Sequence, residues 1–433
     1  MRINKKNLIL EIISDFWEDF KSYRPAYATK YYDKVINKVL SCGDQSEGYI
    51  RYQCTYCGED DRVIGFTCKS AFCLRCGSIK GMKFVEEVKA KLYVGIDYRH
   101  LTLTMPDELW KIFYKNRHTN DLFNRLYETA WEFIKNVFQT VLRKEKILVG
   151  AIMVIHVTGR KSSFNVHLHI LLPMGAIDEI TGEWIHIPCL PYNLLHFRWK
   201  KYLLKMLEAF DDSPDMKNLV TKLFKKYKKG FVANLDPRTL PKGGGKLAKY
   251  LAKYLFSPSI SVRRILKFDE KKKLVKYEYN DHETHKKEIE EIGVLHFVGR
   301  MAQQIMPEYF QRVRYFGLHS TRNGLKNKIK VVHGLQRAKK MEPDPDEIIA
   351  LKKAEALSFR ERIIYWKKKD PLKCKKCGRQ MELVQVWIKG RGFVFDLFDK
   401  MATGPPQFIY EDKMVEFLPP KIELFAVQQG FCF

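Results

Sequence analysis

Apolar residues recur along the chain at two spacings, which predict helices and strands in separate blocks. Leu8 to Phe20 and Tyr31 to Leu40 have the three- and four-residue spacing of amphipathic helices. The same spacing predicts longer helices over Asp121 to Leu142 and Leu194 to Ala209. A meander of exposed strands is predicted from Ser261 to Ile292. This mixture indicates an α+β fold rather than a helical bundle or a β-sandwich.

Three stretches have the pattern of buried or half-buried strands. Arg99 to Thr104 alternates between polar and apolar residues, whereas Val149 to Val157 and Phe164 to Leu172 are almost wholly apolar. The short turn Gly159 to Ser163 joins the last two. We therefore predict that they form an antiparallel hairpin.

Two histidines interrupt the apolar run of the second hairpin strand. His167 and His169 lie two residues apart, so strand periodicity places both imidazoles on one face of the sheet. Together they can hold a divalent metal if a neighbouring element supplies a third ligand, for which His156 is the first candidate. A pair of histidines on a half-buried strand, with His156 bonded to backbone in the core, is the structural alternative.

The composition indicates what kind of molecule the protein binds and in which compartment it works. The net charge of +27 indicates binding to a polyanion, most simply a nucleic acid. The longest apolar run, Ile147 to Val157, is too short to span a bilayer. The acidic residues between Asn7 and Phe20 exclude a signal-peptide core, so we expect an intracellular protein. In that compartment the ten cysteines are better explained as metal ligands than as disulfides.

Six cysteines lie close together near the N-terminus. Two Cys-x-x-Cys pairs, about fifteen residues apart, have the spacing of a closed structural zinc site. We predict Cys54, Cys57, Cys73 and Cys76 as its ligands. Cys68 and Cys42 are surplus and could replace a predicted ligand or help to build a second site.

A further Cys-x-x-Cys pair occurs near the other end of the chain. Cys374 and Cys377 are half of a possible second zinc site, and only Cys432 follows them. Two thiols in a turn without metal are an equally good interpretation. A linker around Pro343 separates this region from a basic, helix-prone stretch between Thr321 and Lys340.

A basic, glycine-rich loop precedes a short helix in the middle of the chain. The loop contains Arg238 and Lys242 and lacks the spacing of a phosphate-binding P-loop. In the helix predicted over Lys246 to Phe256, Tyr250 and Tyr254 are four residues apart and share a face. Two tyrosines at this spacing are usually packing residues.

These motifs, in this order, resemble the two-tyrosine HUH transposases of rolling-circle insertion sequences. The resemblance runs from Cys42 through Cys76, Val166 to His169, and Tyr250 to Tyr254, and ends near Arg314 to Gly317. It implies a central HUH endonuclease domain over residues 97–320, in which helices flank an antiparallel sheet of the ferredoxin or RRM type. A small zinc-binding domain at 1–96 and a region of basic helices and a Cys-x-x-Cys appendage at 321–433 complete the expected organisation.

The resemblance also implies an activity and the roles of individual residues. Tyr250 and Tyr254 would attack single-stranded DNA at transposon ends and targets, with Mg²⁺ or Mn²⁺ on the histidines and structural Zn²⁺ on the cysteines. The neighbouring Lys249 and Lys253 would lower the pKa of the tyrosine hydroxyls or hold the DNA strand. Further DNA contacts are expected from Arg238, Lys242 and Lys246. The expected location is the prokaryotic cytoplasm, in association with the nucleoid.

Two other functions are compatible with the sequence. A rolling-circle replication initiator or relaxase-like nickase uses the same chemistry. A non-catalytic, zinc-dependent nucleic-acid-binding protein would explain the charge and the cysteines, but it requires the histidine and tyrosine pairs to be coincidental.

Overall fold

The computed structural model describes residues 8–70, 72–93, 95–159, 163–237, 260–280, 286–338, 359–399, 407–410 and 413–416. The chain divides into two compact units, each built from two segments. The sheet unit comprises Met1–Ala26 and Phe84–Ala354, and the cysteine unit comprises Tyr27–Lys83 and Glu355–Phe433. Helices and antiparallel sheets occur together, as the α+β prediction requires.

The α-helices of the described ranges are α1 (Leu8–Tyr23), α2 (Lys30–Leu40), α3 (Leu74–Lys91), α4 (Asp107–Lys115), α5 (Asp121–Leu142), α6 (Tyr192–Phe210), α7 (Pro214–Lys226), α8 (Val294–Ala302), α9 (Gly324–Ala338) and α10 (Phe359–Lys367). The first strands are β1 (Gly48–Gln53), β2 (Asp61–Gly65), β3 (Tyr98–Leu103), β4 (Ile147–Leu148), β5 (Gly150–Thr158), β6 (Phe164–Pro173), β7 (Gly175–Asp178), β8 (Trp184–His186) and β9 (Ala233–Leu235). They are followed by β10 (Ile265–Asp269), β11 (Leu274–Asn280), β12 (Lys287–Gly293), β13 (Val313–Gly317), β14 (Glu382–Ile388), β15 (Gly392–Asp396), β16 (Gln407–Tyr410) and β17 (Lys413–Glu416).

A five-stranded antiparallel sheet forms the centre of the sheet unit, in the order β13–β5–β6–β3–β9. The predicted hairpin is confirmed, because β5 and β6 are adjacent and His156 lies directly opposite His167. The predicted meander is present as the separate sheet β10–β11–β12, but it is not wholly exposed, because Val275 and Tyr277 of its middle strand are buried.

The two faces of the central sheet differ because successive side chains of a strand point in opposite directions. Leu168 and Ile170 of β6, with Met153 and Ile155 of β5, are buried in one hydrophobic core with residues of α4 to α7. Helix α5 supplies a complete apolar stripe to this core, which explains why its predicted bounds match the structure. The other face of the hairpin therefore carries the histidines.

The N- and C-terminal parts of the chain build one sheet in the cysteine unit. Its order is β15–β14–β1–β2, and Gly48 of β1 pairs with Ile388 of β14. The boundaries predicted at 96/97 and 320/321 therefore do not coincide with the division in the structure. Local patterns cannot reveal a strand pairing between segments more than three hundred residues apart.

The stretch after residue 320 contributes to both units. Helix α9 lies in the sheet unit, where the Asn327 side chain donates hydrogen bonds to the carbonyls of Gly317 and Leu318, each at 3.1 Å. Helix α10 and strands β14 and β15 lie in the cysteine unit. The predicted tyrosine helix, Lys246 to Phe256, lies outside the described residues.

Gly317, at the end of β13, is expected to tolerate no side chain. Its φ is +53°, and an added Cβ would lie 1.9 Å from the carbonyl oxygen of Val149 and 2.8 Å from the Trp131 ring. We expect Gly317→Ala to lower the free energy of unfolding by more than about 2 kcal/mol, measured by denaturant titration. Gly324→Ala is the matched control, since nothing lies within 4 Å of its added Cβ and its φ is −52°. Equal stability of the two variants would contradict this expectation.

Candidate functional site

Three imidazoles converge on the face of the β5–β6 hairpin that is opposite the helical core. His156, His167 and His169 each offer a ring nitrogen, and these atoms lie within 4.8 Å of one another. The Nδ1 of His156 is 3.2 Å from the Nε2 of His167. The cross-strand pairing of His156 with His167, and the two-residue step to His169, are enough to assemble the cluster.

Neighbouring groups determine which ring nitrogens point into the cluster. The Nδ1 of His167 donates to the carbonyl of Asn165 at 3.0 Å, which leaves its Nε2 as the nitrogen with a lone pair. The Nε2 of His156 faces the Thr158 hydroxyl at 3.1 Å. The Nδ1 of His169 is 2.9 Å from the Nε2 of His100, so any metal bond from His169 must use Nε2. Each imidazole ring is thus oriented by a neighbouring group at the ring nitrogen that points away from the cluster.

Burial keeps this group of imidazoles neutral. It lowers the pKa of His167 to about 4 and those of His156 and His169 well below their usual range. Repulsion from the neighbouring imidazoles adds to the effect at His169. Neutral imidazole is the form that binds a metal, so at neutral pH no proton has to leave before binding.

Two further residues, His100 and Arg312, lie beside the histidine cluster, and the sequence did not predict either as a site residue. His100 on β3 is buried and stacks on His169 with a ring-centroid distance of 5.1 Å. Arg312 lies close enough to His156 for its charge to lower the pKa of that imidazole. His100 lies on a predicted strand, but only the pairing of β3 with β6 brings it to His169. No sequence signal distinguishes Arg312 from the many other basic residues.

Tyr250, Tyr254, Lys249 and Lys253 lie outside the described residues, as do the predicted DNA contacts Arg238, Lys242 and Lys246. Their roles remain predictions.

Eight of the cysteines in the described part of the chain form two groups of four, and the predicted grouping of Cys54 and Cys57 with Cys73 and Cys76 is wrong. One group contains Cys42, Cys68, Cys73 and Cys76, and the other contains Cys54, Cys57, Cys374 and Cys377. Spacing along the chain does not determine the grouping, because a Cys-x-x-Cys knuckle can be completed by any segment that the fold brings near. The surplus Cys42 and Cys68 are members of the first group.

The first group has the donor set of a structural zinc site. The Sγ of Cys76 lies 3.6 Å from those of Cys42 and Cys68. Four thiols at such distances fit the closed tetrahedral coordination of Zn²⁺. The clusters therefore support structural zinc.

No helix in the described part of the chain is long and apolar enough to cross a membrane.

Comparison with known families shows which proteins this chain resembles. Residues 12–105 match the model of a transposase zinc-binding domain, and residues 150–327 match the model described as "Putative transposase". The first range contains the cluster of Cys42, Cys68, Cys73 and Cys76, and the second contains the three clustered histidines. The chain is therefore similar to transposases that carry an N-terminal zinc-binding domain, which confirms the predicted resemblance to insertion-sequence transposases at that level.

Two curated relatives align with most of this chain. The transposase for insertion sequence element IS801 of Pseudomonas savastanoi pv. phaseolicola is 25% identical over 364 residues, which cover 80% of this chain and 82% of that protein. A Sinorhizobium fredii protein named "Putative transposase y4qJ" is 23% identical over 411 residues, 90% of this chain and 96% of its own length. No solved structure matches the chain.

Proposed function

We propose that the protein is a transposase that nicks and rejoins single-stranded DNA through 5′-phosphotyrosine intermediates. The observation that carries the proposal is the histidine cluster on the β5–β6 hairpin, within the region that matches a transposase family. The transposase named for IS801 aligns over most of both chains, which supports the same activity here.

In the proposed reaction a tyrosine hydroxyl attacks the scissile phosphate. A bond forms between the phenolic oxygen of Tyr250 or Tyr254 and phosphorus, and the bond from phosphorus to the 3′ oxygen breaks. The 3′ oxygen takes up a proton, and the phenol loses its own. The phosphotyrosine conserves the bond energy, so a 3′-hydroxyl of another strand can reverse the reaction and join two ends. Two tyrosines allow two such intermediates in succession.

The residues of the hairpin fit the requirements of this chemistry. A metal held by His156, His167 and His169 would supply positive charge to the phosphate in the transition state. The all-imidazole donor set fits Mn²⁺ better than Mg²⁺, because Mg²⁺ prefers oxygen ligands. Arg312 adds a guanidinium beside His156, and His100 orients the ring of His169.

The architecture of the sheet unit is consistent with an HUH endonuclease domain. Its antiparallel sheet has helices against one face and the histidines on the other. We propose that this sheet is the ferredoxin-like core of that domain, with DNA entering over the histidine face. The net charge of +27 supports a DNA partner.

Tyrosine substitutions test this proposal directly. Single-stranded oligonucleotides spanning both ends of the DNA element that encodes the protein are incubated with the full chain and Mn²⁺. We expect a covalent adduct that withstands denaturing electrophoresis, a lower yield in Tyr250→Phe or Tyr254→Phe, and none in the double variant. Tyr192→Phe, at an exposed tyrosine outside the histidine cluster, is the matched control.

Each other outcome overturns a part of the proposal. Adducts in the double variant would show that the nucleophile assignment is wrong. A wild-type protein that binds the oligonucleotides but never forms an adduct would favour a non-catalytic binding protein. Nicking and rejoining that is not specific to the ends of the element would favour a replication initiator or relaxase-like nickase.

A further inference from the structure

We infer that the chain holds a second zinc ion between two cysteine knuckles from opposite ends of the sequence. Its ligands are Cys54 and Cys57 of the first knuckle and Cys374 and Cys377 of the second. The zinc-binding domain that the family comparison recognises ends at residue 105, so it contains half of this site. The inference is independent of the proposed nuclease activity.

The two knuckles have the same local fold. Each reads Cys-x-x-Cys-Gly, and the glycine N–H donates to the carbonyl of the first cysteine, at 2.8 Å for Gly58 and 3.1 Å for Gly378. Both glycines are in the left-handed region, with φ of +70° and +75°. This conformation favours glycine and closes a tight turn that brings the two thiols of a knuckle to the same side.

The four sulfur atoms are spaced for one tetrahedral ion. The Sγ of Cys54 is 3.5 Å from that of Cys377, and the Sγ of Cys57 is 3.7 Å from that of Cys374. A zinc–sulfur bond of about 2.3 Å gives sulfur–sulfur separations of about 3.8 Å at the edges of a tetrahedron. A disulfide would require about 2.05 Å, so these thiols are arranged as metal ligands and not as oxidised pairs.

Hydrogen bonds from the first knuckle to the second hold this arrangement together. The Asp60 carboxylate accepts the N–H of Lys375 at 2.7 Å. The Arg62 guanidinium pairs with Asp60 at 3.1 Å and donates to the carbonyl of Lys373 at 2.7 Å. The pairing of β1 with β14 begins next to the knuckles, where Gln53 lies opposite Glu382.

Charge around the cluster also suits a tetrathiolate site. Four thiolates around Zn²⁺ leave a net charge of −2, which needs basic neighbours. The second knuckle supplies Lys375 and Lys376, and the Arg379 guanidinium lies 3.4 Å from the centre of the Tyr56 ring in the first knuckle. Thiolates are soft ligands that select zinc over the hard cations proposed for the histidine site.

This site makes the cysteine unit depend on both ends of the chain. Cys54 and Cys377 are 323 positions apart, so the ion would close a very long loop. A fragment with the recognised zinc-binding domain alone would hold zinc only on Cys42, Cys68, Cys73 and Cys76.

Zinc content of the full-length protein tests the inference. We expect two zinc ions per wild-type chain by native mass spectrometry and elemental analysis, and one in the double variant Cys374→Ser, Cys377→Ser. Cys189→Ser, at an exposed cysteine outside both clusters, should retain two. One zinc ion in the wild type, two in the double variant, or iron in place of zinc would each overturn the inference.

A second measurement does not depend on the folding of variants. The native wild-type protein is alkylated and the modified cysteines are identified by mass spectrometry. We expect Cys374 and Cys377 to be protected until a chelator is added, and then to react together with Cys54 and Cys57. Cys189 should react throughout. Rapid alkylation of Cys374 and Cys377 before chelation would overturn the inference, because Cys377 is exposed and only a bound metal would protect it.

Discussion

His167→Ala is expected to lower the yield of covalent DNA adduct by about 1,000-fold and to abolish Mn²⁺ binding at the hairpin. The variant removes one of three clustered imidazoles, and the proposed metal contributes several kcal/mol to the transition state. A loss of about 4 kcal/mol corresponds to about 1,000-fold in rate. Binding of Mn²⁺ is measured without DNA by electron paramagnetic resonance, and the adduct is quantified with labelled oligonucleotide.

His100→Phe should also lower the yield of covalent DNA adduct and the affinity for Mn²⁺, but by less than His167→Ala. The phenyl ring can still stack on His169, but it cannot bond to the Nδ1 that lies 2.9 Å from His100 in the wild type. Loss of the group that bonds to the ring nitrogen not used for metal binding is expected to weaken metal binding by about 10- to 100-fold. His186→Ala, at an exposed position on β8, is the control and should change neither quantity. Unchanged Mn²⁺ affinity in His167→Ala would remove the histidine cluster from the mechanism.

Cys73→Ser is expected to release one zinc ion and to unfold the N-terminal part of the cysteine unit. Cys73 is buried, and its Sγ accepts the N–H of Cys76 at 3.5 Å within the four-cysteine group. Zinc binding to a structural site contributes about 10–16 kcal/mol in small domains, far more than a few apolar contacts can replace. Zinc content and limited proteolysis check this result, with new cleavage expected between residues 41 and 83.

Cys189→Ser serves as the control here too, since it changes a thiol of the sheet unit outside both clusters. The Cys73→Ser protein should retain the zinc ion on the knuckles of Cys54 and Cys374. Full zinc content together with wild-type resistance to protease would contradict a structural role for the Cys73 group.

The sequence predicted the sheet unit better than the cysteine unit, because the predicted features of the sheet unit depend on residues that are close together in the chain. The hairpin of Val149 to Val157 and Phe164 to Leu172 is contiguous, so its turn and its periodicity determine which histidines share a face. Helix α5 carries an uninterrupted apolar stripe, and its predicted bounds are correct for the same reason.

The cysteine unit is assembled from distant segments, so the same reasoning failed there. Strand β14 pairs with β1, and the knuckle of Cys374 meets that of Cys54, through contacts that leave no periodic signal in either segment. His100 was missed in the same way, because only the pairing of β3 with β6 places it beside His169.

Local spacing and composition were enough to predict the α+β class, the histidine hairpin, the abundance of thiol ligands and the positive charge. The grouping of the cysteines and the groups that orient the histidines follow only from the folded chain. Those partners come from elements far apart in the chain, and they meet only where strand pairing and burial of the core bring them together.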